Sequence, residues 1–388
     1  MRTKVRWIGD NVKKVKIVHT ADLHFDTPFK EVGEKQSKVN KEELKEVFMR
    51  IIHICKAKSV DILLLAGDIF DNLTLNRETL YFIENSFKEL DNTRVFISPG
   101  NHDPYGNNSF YKLIKWPNNV HIFKGDIEKV YISELDINVW GAGFKEKYLR
   151  SSILNGFSEV DNRINLMVIH GELSNSQEGN EYNPITISDI SNSGMDYIAL
   201  GHRHGFSGIN KEGSTFFAYS GCPQGRGFDE LGDKGIIYGY VSKGAVDLDF
   251  VRTSKRNYEE VEVDISDSFG YEEVRNKILE AVKEEDRKEN LYKLILKGEI
   301  SEEFNIDEEI LREKLIKDFY FCKVIDKTRL KLDLEEISRG YSVKGIFAKK
   351  LMKELEEAET EADKELIMMA LKVGLASLSE DEVKIDDY

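Results

Sequence analysis

The sequence predicts an α/β fold, a sandwich of sheets flanked by helices, followed by a small α+β domain and a C-terminal helical hairpin. Three observations carry that expectation. Short apolar runs alternate with segments of helical spacing through the first hundred residues, the rhythm of a parallel sheet with crossover helices. Beyond about residue 255 the pattern resets, with strand and helix signals alternating over shorter spans. The run Leu63-Leu64-Leu65-Ala66-Gly67-Asp68 is an apolar strand that stops at a glycine and delivers a carboxylate, at the strand edge where open α/β sheets bind ligands.

Taken in order, 15–20 (VKIVHT) reads as a strand ending at Ala21-Asp22-Leu23-His24. Residues 38–58 place Leu44, Val47, Phe48, Ile51 and Ile52 on one side of a helix. The stretch 61–65 is too short and too uniformly apolar for a helix and reads as a buried strand. A second amphipathic helix over 77–90 leads to the strand 94–98, which ends in Pro99-Gly100-Asn101-His102-Asp103. From about 119, short strands at 120–123, 130–132 and 137–140 with turns between them predict a second sheet packed on the first. Two further strands, 165–169 and 196–200, run into His170-Gly171-Glu172 and Gly201-His202-Arg203-His204. Between them 174–183 is polar and reads as a mobile loop beside the site, and strands near 215–220, 235–241 and 245–251 close the sandwich.

The expected domains are 1–254, then 255–335 as an α+β cap, then 336–388 as a helical region. Within the cap the pattern is strand 259–265, helix 271–283, strand 291–298, helix 307–318 and strand 320–326. In the last region Phe347, Leu351 and Leu355, then Leu366, Met369 and Val373, predict two helices sharing an apolar face. Packing within its own domain and docking of a partner fit that face equally well.

Composition narrows the classes. With 388 residues, 32% charged and 40% apolar, the chain is long enough for two or three domains of a soluble protein. Its three cysteines, Cys55, Cys222 and Cys322, form no pair motif, so neither a disulfide framework nor a zinc knuckle is indicated and a reducing cytoplasm fits. Residues 1–10 are polar where a signal peptide needs an apolar core, and no stretch approaches a membrane span. The net charge of −15 speaks against nucleic acid at first. Its distribution softens that objection: 1–250 carry 30 Lys+Arg against 34 Asp+Glu, while 251–388 carry 25 against 36. Bound divalent cations would add local positive charge where a phosphate approaches.

The strand ends together offer Asp22, His24, Asp68, Asn101, His102, His170, His202 and His204. Singly, each has a plain structural role: Asp22 and Asp68 as helix caps, Asn101 as a turn residue, His170 as a core histidine. Collectively they weigh differently, because six of the eight histidines lie in or beside these motifs. Carboxylate, imidazole and amide oxygen are the ligands of a pair of Mn, Fe or Zn ions. Both Asp22-x-His24 and His202-x-His204 put two such groups on one side of an extended strand end. His19 precedes the first pair and is either a supporting partner or a core histidine; His53 and His121 read as structural.

Asp22-x-His24, Gly67-Asp68, Gly100-Asn101-His102-Asp103, His170-Gly171 and Gly201-His202-x-His204 occur in the order of the five blocks of the calcineurin-like metallophosphoesterase superfamily, which the sequence therefore resembles. The opening His19-Thr20-Ala21-Asp22-Leu23-His24-Phe25-Asp26-Thr27-Pro28-Phe29 is similar to that of bacterial DNA repair exonucleases of the SbcD and YhaO kind. So is Gly221-Cys222-Pro223-Gln224-Gly225-Arg226-Gly227 to their "PG…QGR" segment. The resemblance covers about 15–255 well and implies a four-layer metallophosphoesterase β-sandwich. It implies one metal held by Asp22, His24, Asp68 and His204, and another by Asp68, Asn101, His170 and His202, with Asp68 the bridge. His102 would donate a proton to the leaving oxygen and Asp103 could orient it. Arg203 and Arg226, the basic residues nearest the motifs, are candidates to touch a phosphate; Arg203 stands where relatives often carry an apolar residue.

By that resemblance the chain is a manganese-dependent DNA nuclease, with Fe, Zn or Mg as other candidate metals. It would be a cytoplasmic homodimer working with an SbcC-like coiled-coil ATPase. Ions about 4 Å apart can stabilise the attacking and leaving oxygens of an in-line displacement, and a metal-bound water with a pKa of roughly 7 needs no separate strong base. Two alternatives stay open: a phosphodiesterase or phosphatase for a small nucleotide-type substrate, and a noncatalytic subunit whose metals only hold the fold. The presence of His102 counts against the second.

Overall fold

A computed structural model describes residues 12–71, 76–176, 179–301, 304–331, 334–358 and 360–378. The leader at 1–10 and residues 177–178 of the polar loop lie outside the described residues. The chain divides into two compact units, one formed by residues up to 259 with 289–291, the other by 260–288 and 292 onward. The expected cap and the C-terminal helices fall in the same second unit.

The first unit contains, in order, β1 (Lys14–Thr20), α1 (Glu34–Ala57), β2 (Ile62–Leu65), α2 (Arg77–Lys88), β3 (Arg94–Ile97), β4 (Val120–Ile122), β5 (Glu128–Ile132), β6 (Ile137–Gly141), β7 (Ile164–His170), α3 (Ile187–Asn192), β8 (Tyr197–Gly201), β9 (Asn210–Glu212), β10 (Thr215–Tyr219), β11 (Gly235–Ser242) and β12 (Ala245–Arg252). Two six-stranded sheets result, ordered β12-β11-β1-β2-β3-β4 and β5-β6-β7-β8-β10-β9. The strands β1, β2, β3 and β4 are mutually parallel, as are β6, β7, β8 and β10. The C-terminal ends of β1, β2 and β3 thus share one edge of the first sheet, and those of β7 and β8 one edge of the second.

The period-2 alternation of the strands fixes the layers. Ile62 and Leu64 enter a core with Ile17, Phe96, Val139, Leu166, Val168 and Ala199, drawn from both sheets. Their neighbours Leu63 and Leu65 face the other way, against Leu44, Phe48, Ile51 and Ile52 of α1 and Leu80, Ile83 and Phe87 of α2. On the far side of the second sheet Met167, Ile169, Ile198 and Leu200 pack with Leu154 and Ile190. That outer layer is thin, because α3 has six residues. The helix α1 starts four residues earlier than its apolar spacing suggests: Gly33 supplies the N-cap and the first turn is solvated, so no apolar signal marks it.

The second unit holds a three-stranded sheet of β13 (Tyr258–Asp264), β14 (Leu291–Lys297) and β16 (Phe321–Asp326). Between them come α4 (Tyr271–Ala281), α5 (Glu284–Glu289), β15 (Glu299–Ile300) and α6 (Glu308–Leu315), and β17 (Arg329–Leu330) follows β16. Val274, Ile278, Leu311 and Leu315 pack on Leu294, Leu296 and Val324. After α7 (Leu334–Arg339), α8 (Val343–Glu357) and α9 (Glu361–Ser377) form the hairpin. Its core is Ala348, Leu371 and Leu375, flanked by Phe347, Leu351, Ile367 and Met368. Leu366 and Met369, expected on the packed face, are instead 67% and 42% exposed.

Candidate metal centre

Two loops set the first half of the site. The segment after β1 pairs with the one after β2 beyond the sheet: Asp22 N–H donates to the Gly67 carbonyl (3.0 Å), His24 N–H to Asp68 (2.9 Å) and Phe25 N–H to Ile69 (2.8 Å). Asp22, His24 and Asp68 adopt positive φ of 54°, 46° and 51°, a conformation costing about 1–3 kcal/mol per residue and concentrated at functional sites. Gly67 and Gly100 are required by close approach: a Cβ on the first would collide with the His170 ring, and on the second with the Asp68 carboxylate.

The second half arrives from β3, β7 and β8. His102 N–H donates to Asp68 Oδ1 at 2.9 Å, and His170 Nε2 lies 3.4 Å from Asp68 Oδ2 and 2.9 Å from Asn101 Oδ1. His24 Nε2 approaches the same Asp68 oxygen at 3.6 Å. His202 N–H reaches both Asp22 oxygens at 3.2 and 3.1 Å, and the His24 and His204 rings meet edge to face at 5.3 Å. The other six expected ligands therefore converge around Asp68; Asp22, His24 and His204 form one ligand-competent group, Asp22, Asp68 and His170 another, and His24 with Asp71 and His102 a third.

The donor set suits a divalent cation. Both ring nitrogens of His24 are buried without a hydrogen-bond partner, a costly state for an imidazole with nothing to bind. Burial, with the neighbouring Asp68 charge adding to it, pushes the Asp22 carboxyl up to about 7, and burial raises that of Asp68. Burial also holds His170 and His202 down to about 4 and His24 well below its usual value. Neutral imidazoles and two carboxylates short of counter-charge are what a metal ion would complete.

Beside this cluster, His102 is poised differently. Its Nδ1 lies 3.3 Å from Asp71 Oδ1, and that hydrogen bond raises its pKa above the usual value. The expected orienting role of Asp103 is not what the structure shows. Its carboxylate accepts from Gly100 N–H (2.7 Å), Ile69 N–H (2.7 Å), Phe70 N–H (3.2 Å) and Tyr111 Oη (2.6 Å), tying the two metal loops together. Asp71 holds the ring instead.

The two arginines expected at a phosphate are engaged elsewhere. Arg226 pairs with Glu230, a buried carboxylate that also sits 2.8 Å from His204 Nδ1. Arg203, half exposed, donates to Glu172 and to the Leu173 carbonyl and lies over the Tyr219 ring. Glu172 in turn contacts His202 Nε2 at 3.1 Å. Sequence reasoning missed Asp71, Glu172 and Glu230; their signals are spacings, three residues after Asp68, two after His170 and four after Arg226. His19 is a satisfied core histidine, bonded to Tyr197 Oη (2.9 Å) and the Leu200 carbonyl (3.1 Å). No described helix is long and apolar enough to cross a membrane.

Residues 15–206 match the family model of calcineurin-like phosphoesterases. The chain is 30% identical to the uncharacterized metallophosphoesterase YhaO of Bacillus subtilis over 65% of its own length and 63% of that protein. It is 25% identical to the SbcD component of the SbcCD nuclease of Staphylococcus epidermidis, covering 56% of the chain and 63% of the relative. With the DNA double-strand break repair protein Mre11 of Thermoplasma acidophilum it shares 23% identity over 84% and 89% of the two lengths. The matches to YhaO and to SbcD thus span less than two thirds of those proteins.

Proposed function

Residues 15–206 belong to the calcineurin-like phosphoesterase family, and from that membership we propose that the protein is a dinuclear-metal phosphodiesterase that cuts DNA. One observation carries the proposal: five strand ends bring six ligand-type side chains around the carboxylate of Asp68, with the buried nitrogens of His24 unpartnered. Asp22, His24, Asp68 and His204 would hold one ion, and Asp68, Asn101, His170 and His202 the other. The ions would supply the positive charge that polarises a phosphodiester and the acidity that readies an attacking water.

The remaining work falls to the chain. Asp71 accepts from His102 Nδ1 and its hydrogen bond favours the imidazolium, the form in which Nε2–H can protonate the leaving oxygen. Glu230 fixes His204 and Glu172 fixes His202, as carboxylates commonly orient metal-binding imidazoles.

DNA as substrate and an SbcC-like partner are proposals supported by the relatives' names, a subunit of the SbcCD nuclease and a DNA double-strand break repair protein; manganese as metal, a homodimer and the coiled-coil ATPase character of the partner are proposals that rest on the sequence resemblance. We assign 1–254 to the nuclease, 255–335 to a cap and 336–388 to partner docking, the exposed Leu366 and Met369 favouring that last role. The buried, unpaired cysteines favour a cytoplasmic setting. The test is manganese-dependent cleavage of single- and double-stranded DNA by the full chain beside Asp68→Ala and His102→Ala. Cleavage lost in both variants supports the assignment. Equal cleavage by all three proteins would mean contamination and end it, and turnover of a small diester without DNA cleavage would make the substrate a small nucleotide.

A further inference from the structure

A ladder of three rings leads outward from the metal centre. Tyr182 lies against His202 with centroids 5.2 Å apart and planes inclined by 33°. Tyr148 follows at 6.0 Å from Tyr182, inclined by 42°, and is 43% exposed. A large aromatic ring left that open is usually a loosely held surface residue, but this one rests on Tyr182 and the backbone beside it is pinned. Leu149 N–H donates to the Glu181 carbonyl (2.8 Å) and Asn183 N–H to the Leu149 carbonyl (2.7 Å). Asn183 Nδ2 then donates to the His170 carbonyl at 2.8 Å. The exposed ring is thereby keyed to the strand that carries a candidate metal ligand.

Cations surround the same ring. Lys147 Nζ lies 5.4 Å and the Arg150 guanidinium 5.8 Å from its centroid. Arg150 is paired with Glu181, whereas Lys147, exposed, has no ion pair among the described residues and is the charge open to a phosphate. An exposed aromatic face backed by a second ring, an adjacent exposed lysine and a short path to a phosphoester-cleaving centre are the parts of a site for an unpaired base and its backbone.

Resting on the phosphodiesterase reading above, we propose that Tyr148, backed by Tyr182, is a stacking platform for an unpaired nucleobase of the strand whose phosphate lies at the metal centre, with Lys147 drawing a flanking phosphate. The platform favours a single strand or a frayed end, because a base within a duplex has no free face to offer.

The experiment uses the full chain in chelator and a single-stranded oligonucleotide carrying one 2-aminopurine, whose fluorescence is quenched on stacking. Wild type and Tyr148→Phe should bind with quenching; Tyr148→Ala should lose the quench and bind roughly five- to 150-fold more weakly, the span of base–aromatic stacking. An otherwise identical abasic oligonucleotide should bind wild type and Tyr148→Ala alike. Equal binding of the 2-aminopurine strand by wild type and Tyr148→Ala, or no binding at all, overturns the proposal. Manganese-dependent hydrolysis of methyl 4-nitrophenyl phosphate, which has no base, reads the metal centre separately. Turnover of that diester with unmoved oligonucleotide binding sinks the platform alone, whereas absent turnover with the expected binding pattern supports the platform and sinks the phosphodiesterase reading.

Discussion

Replacing Glu230 by glutamine removes one charge from the best-buried ion pair in the site and nothing else of comparable size. Glu230 has 3% of its side chain exposed and Arg226 has 14%. Burial alone would raise the Glu230 carboxyl, yet the hydrogen bond from His204 and the Arg226 guanidinium hold it well below the ordinary range. Its oxygens accept from His204 Nδ1, from the Arg226 guanidinium and from Arg226 N–H at 2.8 Å. A glutamine turns one oxygen into a donor facing donors and leaves the guanidinium buried without its hydrogen-bonded carboxylate. Breaking a buried pair on one side costs about 3–5 kcal/mol, and the residual exposure of Arg226 places Glu230→Gln near the lower end. His204 loses its fixed partner as well, and outer carboxylates of this kind are worth about 10- to 100-fold in metal affinity. Urea unfolding in chelator measures the first effect; calorimetric titration with manganese, under conditions where the variant is folded, measures the second. A folded variant whose metal affinity stays within twofold of wild type would refute the role given to Glu230.

Two further outcomes follow from single side chains. His19, buried and held near pKa 3 by burial, is neutral in the folded protein while its unfolded counterpart takes a proton below about 6.5. The stability it contributes is therefore complete above pH 6.5 and drains as pH falls toward 3, at about 1.4 kcal/mol per pH unit. Between pH 7 and 5 wild type should lose about 2 kcal/mol more unfolding free energy than His19→Gln; identical losses would remove His19 from the acid sensitivity. For Asp71→Ala, kcat on a phosphodiester should drop at least about tenfold, a part of the 10²–10⁴ available to a positioned general acid, with manganese stoichiometry unchanged. Unaltered kcat would mean that Asp71 does not set the His102 proton.

The layers and the convergence of the candidate ligands were legible in the chain because both are written locally. Strands such as 62–65 are continuous apolar runs, and each candidate ligand sits within four residues of a strand end in a short motif with a glycine or a second candidate ligand. What was not legible depends on long-range meetings. Asp103 looks like a partner for His102 beside it in sequence, but it is buried against Gly100, Ile69, Phe70 and Tyr111, and Asp71 from the β2 loop reaches the ring. Arg226 looks like a free cation until Glu230, four residues on, neutralises it. The apolar stripe of α9 was displaced by about one position: Leu371 and Leu375 turn inward, which carries Leu366 and Met369 to the outside. Apolar residues crowd much of that helix's circumference, so spacing alone did not select the packed face.

Asp68 is the centre on which the site depends. Its carboxylate faces His24, His170 and the His102 amide at 3.6, 3.4 and 2.9 Å, and it is the ligand shared by both proposed ions. Asp68→Asn keeps the shape and removes the shared charge. Elemental analysis of the purified variant, with circular dichroism to show that it is folded, should find both metals depleted and phosphodiester turnover abolished. A folded Asp68→Asn protein that retains two metals and full turnover would contradict the bridging role.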